Sequence, residues 1–132
     1  MKNSTRKTIT TTVAPAAIGT YSQAVSVGGV LYVSGQIPLV PDTMELVGTD
    51  IDDQIRQVFR NLEAIISEAG AGFSDVIKFT VYLTDLAHFS RVNETMAQLL
   101  TEPYPARVAL EVSALPRGAL VEIDAIVDVS GA

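Results

Sequence analysis

The sequence contains no cysteine and no tryptophan, and its single histidine is His88. Without cysteine the chain has no disulfide, no thiolate nucleophile and no Cys-ligated zinc or iron–sulfur site, and a reducing compartment suits it. This absence favours the cytoplasm. With one histidine, any metal site would depend on carboxylates alone, so we expect no metal.

Basic residues are also few, since 9 Lys and Arg stand against 15 Asp and Glu, a formal net charge of −6. Phosphate binding depends on clustered Lys and Arg that displace counterions, so the composition disfavours a nucleic-acid partner and leaves only a local basic patch open. No apolar run approaches a membrane span, and we expect no membrane partner. The first carboxylate is Asp42, so a short organelle-targeting role for the basic, acid-free head stays open.

Several catalytic motifs are absent as well. The chain has no GxSxG, Walker or dinucleotide-binding glycine pattern, which removes the commoner hydrolase, phosphate and nicotinamide interpretations. What it does have is 132 residues of 48% apolar composition, enough for one ordinary core and too few for two. We therefore expect a single domain over residues 1–132.

The order of predicted elements is βββαβαββ. A β-rich start at "KTITTTV" leads into two strands around Gly28-Gly29, a dipeptide that suits a two-residue hairpin. The stretch "PLVPDTMELVGTD" is typical of a loop, and Thr49 or Asp50 then caps a helix that ends at "GAG". A strand, "DVIKFTVYL", and a second helix that stops before Pro103 follow.

The last two strands each alternate apolar and polar residues, so each has one aliphatic face. We expect an α+β fold, with one mixed sheet and both helices packed on one face. The other face would mix polar groups with Ala109 and Ile126, a mixture that marks association, and we expect an oligomer.

Arg107 and Glu122 are the two charges that stand out in these strands. Surface placement is the simpler interpretation of each. The functional alternative is that a planar guanidinium binds a carboxylate while a nearby carboxylate orders or deprotonates a water. If a hairpin around "SALPRGA" joins the two strands, Glu122 lies opposite Glu111, on the same face as Arg107.

A second possible anion contact lies in "SGQIP". Ser34 and the flexible Gly35 could present backbone N–H groups to an anion there, or the segment could simply end a strand. Tyr21 and Ser22 follow Gly19, where ordinary turn chemistry is the simpler interpretation. The residues alone support only the hypothesis of an anion site.

Five segments resemble, in this order, the Rid family of reactive intermediate deaminases, also known as the YjgF or RidA family. They are "APAAIGTYSQAV", "VSGQIPLVPDTMELV", "NLEAIISEAG", "DVIKFTVYLTDLAHFSRVNE" and "YPARVALEVSALPRGALVEIDAIV", from about Ala14 to Val127. The resemblance implies a homotrimer of chorismate-mutase-like subunits with clefts between neighbours. It also implies cofactor-free hydrolysis of 2-imino acids (2-iminobutanoate, 2-iminopropanoate) or their enamines to 2-keto acids and ammonia, protecting pyridoxal-phosphate enzymes.

The resemblance also implies residue roles. Arg107 matches the substrate-carboxylate arginine of "PAR", and Glu122 matches the acid of "VEI" that positions or activates water. The remaining matches are substrate-binding positions: Tyr21, Ser34, Gly35, Asn93 and Ala109.

Some positions depart from the family pattern. Thr20 replaces a common proline, Met44 a frequent turn glycine and Met96 an often aromatic residue, while Ala109 stands where some active members have cysteine. These changes leave open the preferred size of the substrate side chain. Two other functions also stay open: an endoribonuclease or translation inhibitor, and a non-catalytic trimer that binds small acids.

Overall fold

The computed structural model describes residues 6–132. The basic head considered above as a targeting segment therefore begins outside the described residues. Eight strands and two α-helices follow in chain order: β1 (Lys7–Ile9), β2 (Ala24–Val27), β3 (Val30–Gln36), β4 (Leu39–Val40), β5 (Glu45–Leu46), α1 (Ile51–Glu68), β6 (Val76–Leu83), α2 (Phe89–Leu99), β7 (Ala106–Glu111) and β8 (Val121–Asp128).

Local chemistry explains the clearest of these elements. Gly28 and Gly29 form a two-residue turn with φ of 58° and 79°, because both central positions of this hairpin type need positive φ. Asp50 caps α1, and its side chain accepts a hydrogen bond from the Asp53 backbone N–H at 3.1 Å. The predicted hairpin, cap and helix are thus confirmed.

Six strands form the main sheet, in the order β1-β2-β3-β8-β6-β7. Only β6 and β7 are parallel; the other neighbours are antiparallel. Both α-helices lie on one face of this mixed sheet, which confirms the predicted α+β architecture. We call this the helix face and the opposite one the open face. The core between sheet and helices contains Phe59, Phe79 and Ile123, all fully buried.

Two sequence-based expectations about connections are wrong. The "PLVPDTMELVGTD" segment is not all loop, because β4 and β5 pair within it as a small antiparallel ribbon. The last two strands do not form a hairpin, because β6 lies between β7 and β8. Glu122 consequently pairs with Tyr82, while Glu111 pairs with Leu83.

This insertion also changes which side chains of β7 meet the core. Parallel pairing sets Arg107 beside Phe79 and Ala109 beside Val81, and residues paired across a sheet point to the same face. Arg107 and Ala109 therefore lie on the helix face, while Val108 lies on the open face and is 43% exposed. The expectation that Ala109 belongs to the open face is wrong.

Buried amides on α1 position the loops that surround the sheet end. Gln54 donates to the Gly48 carbonyl at 2.7 Å and accepts from the Leu120 N–H at 2.9 Å. Asn61 donates to the Leu39 carbonyl at 2.9 Å. Buried amides with such partners fix both loop backbone and the short β4–β5 ribbon against α1. No helix among residues 6–132 is both long and apolar enough to traverse a bilayer.

Candidate active site

Arg107 lies at the edge of the sheet with its guanidinium held by α2. The guanidinium carbon lies 4.7 Å from the centre of the Phe89 ring, a stacking distance for a cation on an aromatic face. Its Nη1 donates to Asn93 Oδ1 at 2.9 Å and approaches Met96 Sδ at 3.7 Å. These three contacts from one helix orient the planar fork before any ligand arrives.

Arg107, Asn93 and Met96 also border a cavity of about 300 Å³, which we call the arginine pocket. Its lining comprises Asn93, Met96, Ala97, Leu100, Tyr104, Pro105 and Arg107. Only Nη1 of Arg107 is used in hydrogen bonds within residues 6–132. The remaining donors match the spacing of a carboxylate, which Arg binds through two parallel hydrogen bonds.

Glu122 belongs to a different part of the molecule. It lies on the open face of β8 and lines a second cavity of about 430 Å³, the glutamate pocket. Tyr21, Gly35, Met44, Pro116 and Arg117 are also among its lining residues.

Gly35 allows Glu122 to occupy its position. A Cβ added at Gly35 would lie 2.1 Å from Glu122 Oε2 and 2.9 Å from its Cδ. Real Cβ atoms do not approach other atoms so closely, so only glycine leaves space for the carboxylate to lie against β3. Because Gly35 has no side chain, it leaves the space that the Glu122 carboxylate fills. The sequence did not suggest this role.

The carboxylate of Glu122 is electrostatically unusual. Burial raises its pKa above the ordinary value, and the neighbouring charge of Asp124 raises that pKa further. No side-chain hydrogen bond within residues 6–132 ends on it, and its oxygens remain accessible to water, since no buried side-chain polar atom of these residues lacks a partner. A partly desolvated carboxylate with a raised pKa and oxygens open to water is a suitable general base for a water molecule.

Ser34 and Tyr21 lie near this pocket but differ in whether their polar groups are free to contact a ligand. The Ser34 hydroxyl donates to the Ser22 carbonyl at 2.6 Å and its backbone N–H donates to the Gln23 carbonyl at 2.9 Å. The idea that the Ser34 N–H faces an anion is therefore wrong, because the chain itself uses that donor. Tyr21 is 53% exposed at the mouth of the glutamate pocket.

Sequence reasoning missed the paired turn at the rim of this pocket. Met44 and Arg117 both adopt the left-handed region, with φ of 58° and 62°, and Arg117 Nη2 donates to the Met44 carbonyl at 3.2 Å. Non-glycine residues in this region cluster at functional sites. The only hint was that Met44 replaces a turn glycine.

The predicted site residues thus form two half-sites. Arg107, Asn93 and Ala109 lie on the helix face of β7 and α2, whereas Tyr21, Gly35 and Glu122 line the glutamate pocket. Within one chain Arg107 and Glu122 are separated by two strand spacings and three residues of strand, about 14 Å between Cα atoms. They point to opposite faces, so one chain cannot bring them to the same small ligand.

No cluster of three or more His, Cys, Asp or Glu side chains that could hold a metal ion occurs in the part of the chain that the structure describes. The two half-sites offer the Arg107 guanidinium in one pocket, the Glu122 carboxylate and the Arg117 guanidinium in the other, and apolar walls in both. The Arg107 guanidinium can bind a small carboxylate, and the Glu122 carboxylate can accept a proton from water.

The fold and these residues have counterparts among known proteins. The model of the endoribonuclease L-PSP family matches residues 11–129. The chain is a member of this family, the Rid family. This membership confirms the resemblance drawn from the sequence segments.

Three Rid-family comparisons are informative. The 2-iminobutanoate/2-iminopropanoate deaminase of Mus musculus is 46% identical over 126 residues, 96% of this chain and 93% of the relative. The crystal structure of RidA from the Antarctic bacterium Psychrobacter sp. PAMC 21119 is 52% identical, with a TM-score of 0.89 over 92% of this chain and 98% of that chain. That of E. coli TdcF with bound serine is 42% identical, with a TM-score of 0.87 over 92% and 98%.

Proposed function

We propose that this protein is a homotrimeric, cytoplasmic deaminase that hydrolyses 2-imino acids, or their enamine tautomers, to 2-keto acids and ammonia without a cofactor. 2-Iminobutanoate and 2-iminopropanoate are the proposed substrates, and their removal would protect pyridoxal-phosphate enzymes. The observation that carries the proposal is that the chain presents both a preoriented guanidinium and a half-buried carboxylate of raised pKa with no side-chain hydrogen-bond donor among residues 6–132. The names of the mammalian relatives support the same chemistry.

In the proposed reaction Arg107 binds the substrate carboxylate through two hydrogen bonds. Glu122 accepts a proton from water as the water oxygen bonds to C2 and the C=N electron pair moves to nitrogen. The proton then passes to that nitrogen. The C2 hydroxyl then gives its proton, through Glu122, to the amino group as the C–N bond breaks and the C=O bond forms, which releases ammonia and the 2-keto acid and leaves Glu122 ionised.

We propose that each complete site forms between neighbouring subunits, one supplying the arginine pocket and the next the glutamate pocket. The separation of the half-sites within one chain supports this arrangement. So does the open face, where Tyr32 and Val108 are 50% and 43% exposed. Exposed apolar side chains on a sheet face are typical of an association surface.

The bound serine named for E. coli TdcF supports a small carboxylic acid as ligand. Serine has a carboxylate, a nitrogen at C2 and a short side chain, the same groups that a small 2-imino acid presents. A cavity of about 300 Å³ on one half-site suits a ligand of this size.

The first test is hydrolysis of imines generated in situ by an amino-acid oxidase or a threonine dehydratase, followed as ammonia or keto-acid release. Arg107→Ala should lower kcat/KM by about a hundred- to several-thousand-fold, since two charge-assisted hydrogen bonds contribute roughly 3–5 kcal/mol together. Arg107→Lys keeps the charge without the planar fork and should recover only part of the loss. A stable Arg107→Ala protein with wild-type turnover would exclude the substrate-binding role.

The shared site has a sharper test in mixed oligomers. Arg107→Ala and Glu122→Gln subunits, each inactive alone, are refolded together in equal amounts. A cleft is then complete when one neighbour retains Arg107 and the other retains Glu122, which random cyclic assembly gives in about a quarter of the clefts. Mixing that restores no activity, with trimer mass confirmed by sedimentation, would refute the shared cleft.

The family's endoribonuclease description supplies the competing activity. The net charge of −6 opposes it, because RNA binding draws most of its affinity from phosphate neutralisation. RNA cleavage that survives both Arg107→Ala and Glu122→Gln would separate such an activity from this site. Binding of 2-keto acids with no imine turnover would instead indicate a non-catalytic small-acid-binding trimer.

A further inference from the structure

Two further polar side chains lie beside Glu122 on the open face. Asp124 follows Glu122 by one strand repeat on β8, and Tyr82 of β6 is the direct cross-strand partner of Glu122. The Tyr82 hydroxyl nevertheless reaches diagonally and donates to Asp124 Oδ2 at 2.9 Å. The cross-strand phenol therefore hydrogen-bonds the second carboxylate and does not donate to Glu122.

We propose that Tyr82 and Asp124 form a positioning pair, which holds a second negative charge next to Glu122 and so makes Glu122 a stronger base for its water. The inference rests on the proposed function of Glu122, and it adds two residues that need not touch the substrate. The inference depends on the finding that Tyr82 donates its hydrogen bond to Asp124 and not to Glu122. Had Tyr82 donated to Glu122, the hydrogen bond would have weakened that carboxylate as a base.

The electrostatics of the cluster agree with this arrangement. Burial is the main cause of the raised pKa of Glu122, and the charge of Asp124 is the second. Burial also raises the pKa of Tyr82, as do its hydrogen bond to Asp124 and the charge of Glu122. Tyr82 thus stays protonated, and a donor, at neutral pH.

Charged and titratable groups on the surrounding elements complete this environment. Arg117 on the Pro116–Gly118 turn and Tyr21 line the glutamate pocket. Lys78 of β6 lies opposite Ile126, on the far side of Asp124 from Glu122. The β3 residue in contact with Glu122 is Gly35, which adds no charge. Asp124 is therefore the negative group on the described elements that adjoins Glu122 directly.

If the pair acts in this way, Asp124→Asn should change kcat/KM in opposite directions at acidic and at neutral pH. Removing the charge of Asp124 lowers the pKa of Glu122, so more Glu122 is ionised at acidic pH and the acidic limb of kcat/KM moves to lower pH. A weaker base is also a slower one on the plateau. Asp124→Asn should thus exceed wild type about threefold or more on the acidic limb and fall below it at neutral pH.

Asp128→Asn is the matched control. Asp128 is on the same face of the same strand, and its carboxylate accepts from the Ser130 N–H and hydroxyl at 2.9 and 2.6 Å. The Asp128→Asn substitution removes one negative charge far from Glu122, so its pH profile of kcat/KM should overlay that of wild type. Tyr82→Phe releases Asp124 from its anchor, and the acidic limb should move in the same direction as in Asp124→Asn but by less.

A direct titration separates this inference from the proposed function. The Glu122 side-chain carboxyl is followed by ¹³C NMR against pH in wild type, Asp124→Asn and Asp128→Asn, without any substrate. A midpoint that falls only in Asp124→Asn supports the positioning pair even if the protein hydrolyses no imine. An unchanged midpoint in folded Asp124→Asn, or an equal fall in Asp128→Asn, would overturn it. So would a loss of activity in Asp124→Asn that is uniform across pH.

Discussion

Gly35→Ala is the most specific perturbation that the structure suggests. The new methyl group would lie 2.1 Å from Glu122 Oε2, whereas ordinary non-bonded contacts begin near 3.5 Å. The Glu122 side chain must therefore withdraw by about 1 Å or more. Gly35 has no positive φ, so alanine adds no backbone strain there.

The expected consequence is a loss of rate with little loss of stability. A displacement of about 1 Å in a catalytic group costs roughly 100-fold in rate, so kcat/KM for imine hydrolysis should fall by about that factor. The clash falls on the far end of a flexible side chain, which can rotate away. The thermal midpoint should therefore change little.

Steady-state ammonia release, measured with the thermal midpoint on the same sample, tests both parts. Gly72→Ala is the matched control, because its added Cβ would meet nothing within 4 Å and its φ is not positive. In a Glu122→Gln background, Gly35→Ala should cause little further loss, since both changes act through one side chain. Wild-type activity in folded Gly35→Ala would refute the reasoning, as would losses that simply add.

Two further predictions concern stability. Burial raises the pKa of Glu122 in the folded state, so ionisation of Glu122 destabilises the fold as pH rises through that pKa. Calorimetry of Glu122→Gln should therefore show a higher thermal midpoint than wild type at neutral pH. A gain in thermal midpoint that persists unchanged below pH of about 4 would contradict this cause. Met44→Gly should stabilise the protein by about 0.5–1 kcal/mol in denaturant unfolding, because glycine adopts the φ of 58° without steric cost, and a destabilised variant would show that the Met44 side chain contributes more through packing.

The Glu122 oxygens accept no side-chain hydrogen bond from the described residues, which also affects the free energy of folding. A half-buried carboxylate is partly removed from water, and this desolvation costs folding free energy. A nearby phenol could reduce this cost, but it donates to Asp124. A retained cost of this kind is expected where a side chain serves chemistry and not the fold.

Elements set by neighbouring residues were predictable from the sequence. The Gly28-Gly29 turn, the Asp50 cap and the apolar period of α1 depend on φ preferences and on hydrogen bonds within a few residues, so the chain carries their signal locally. The family resemblance added the proposed roles of Arg107 and Glu122, for which the residue pattern alone indicated only an anion site.

The arrangement of those residues was decided only by tertiary structure. Strand alternation indicates two faces but does not say which neighbour a strand pairs with, and the insertion of β6 between β7 and β8 moved Arg107 to the helix face and Glu122 to the open face. The contact of Gly35 with Glu122 likewise joins residues far apart in sequence. Pairing between distant strands depends on the packing of the whole core, and no local segment encodes it.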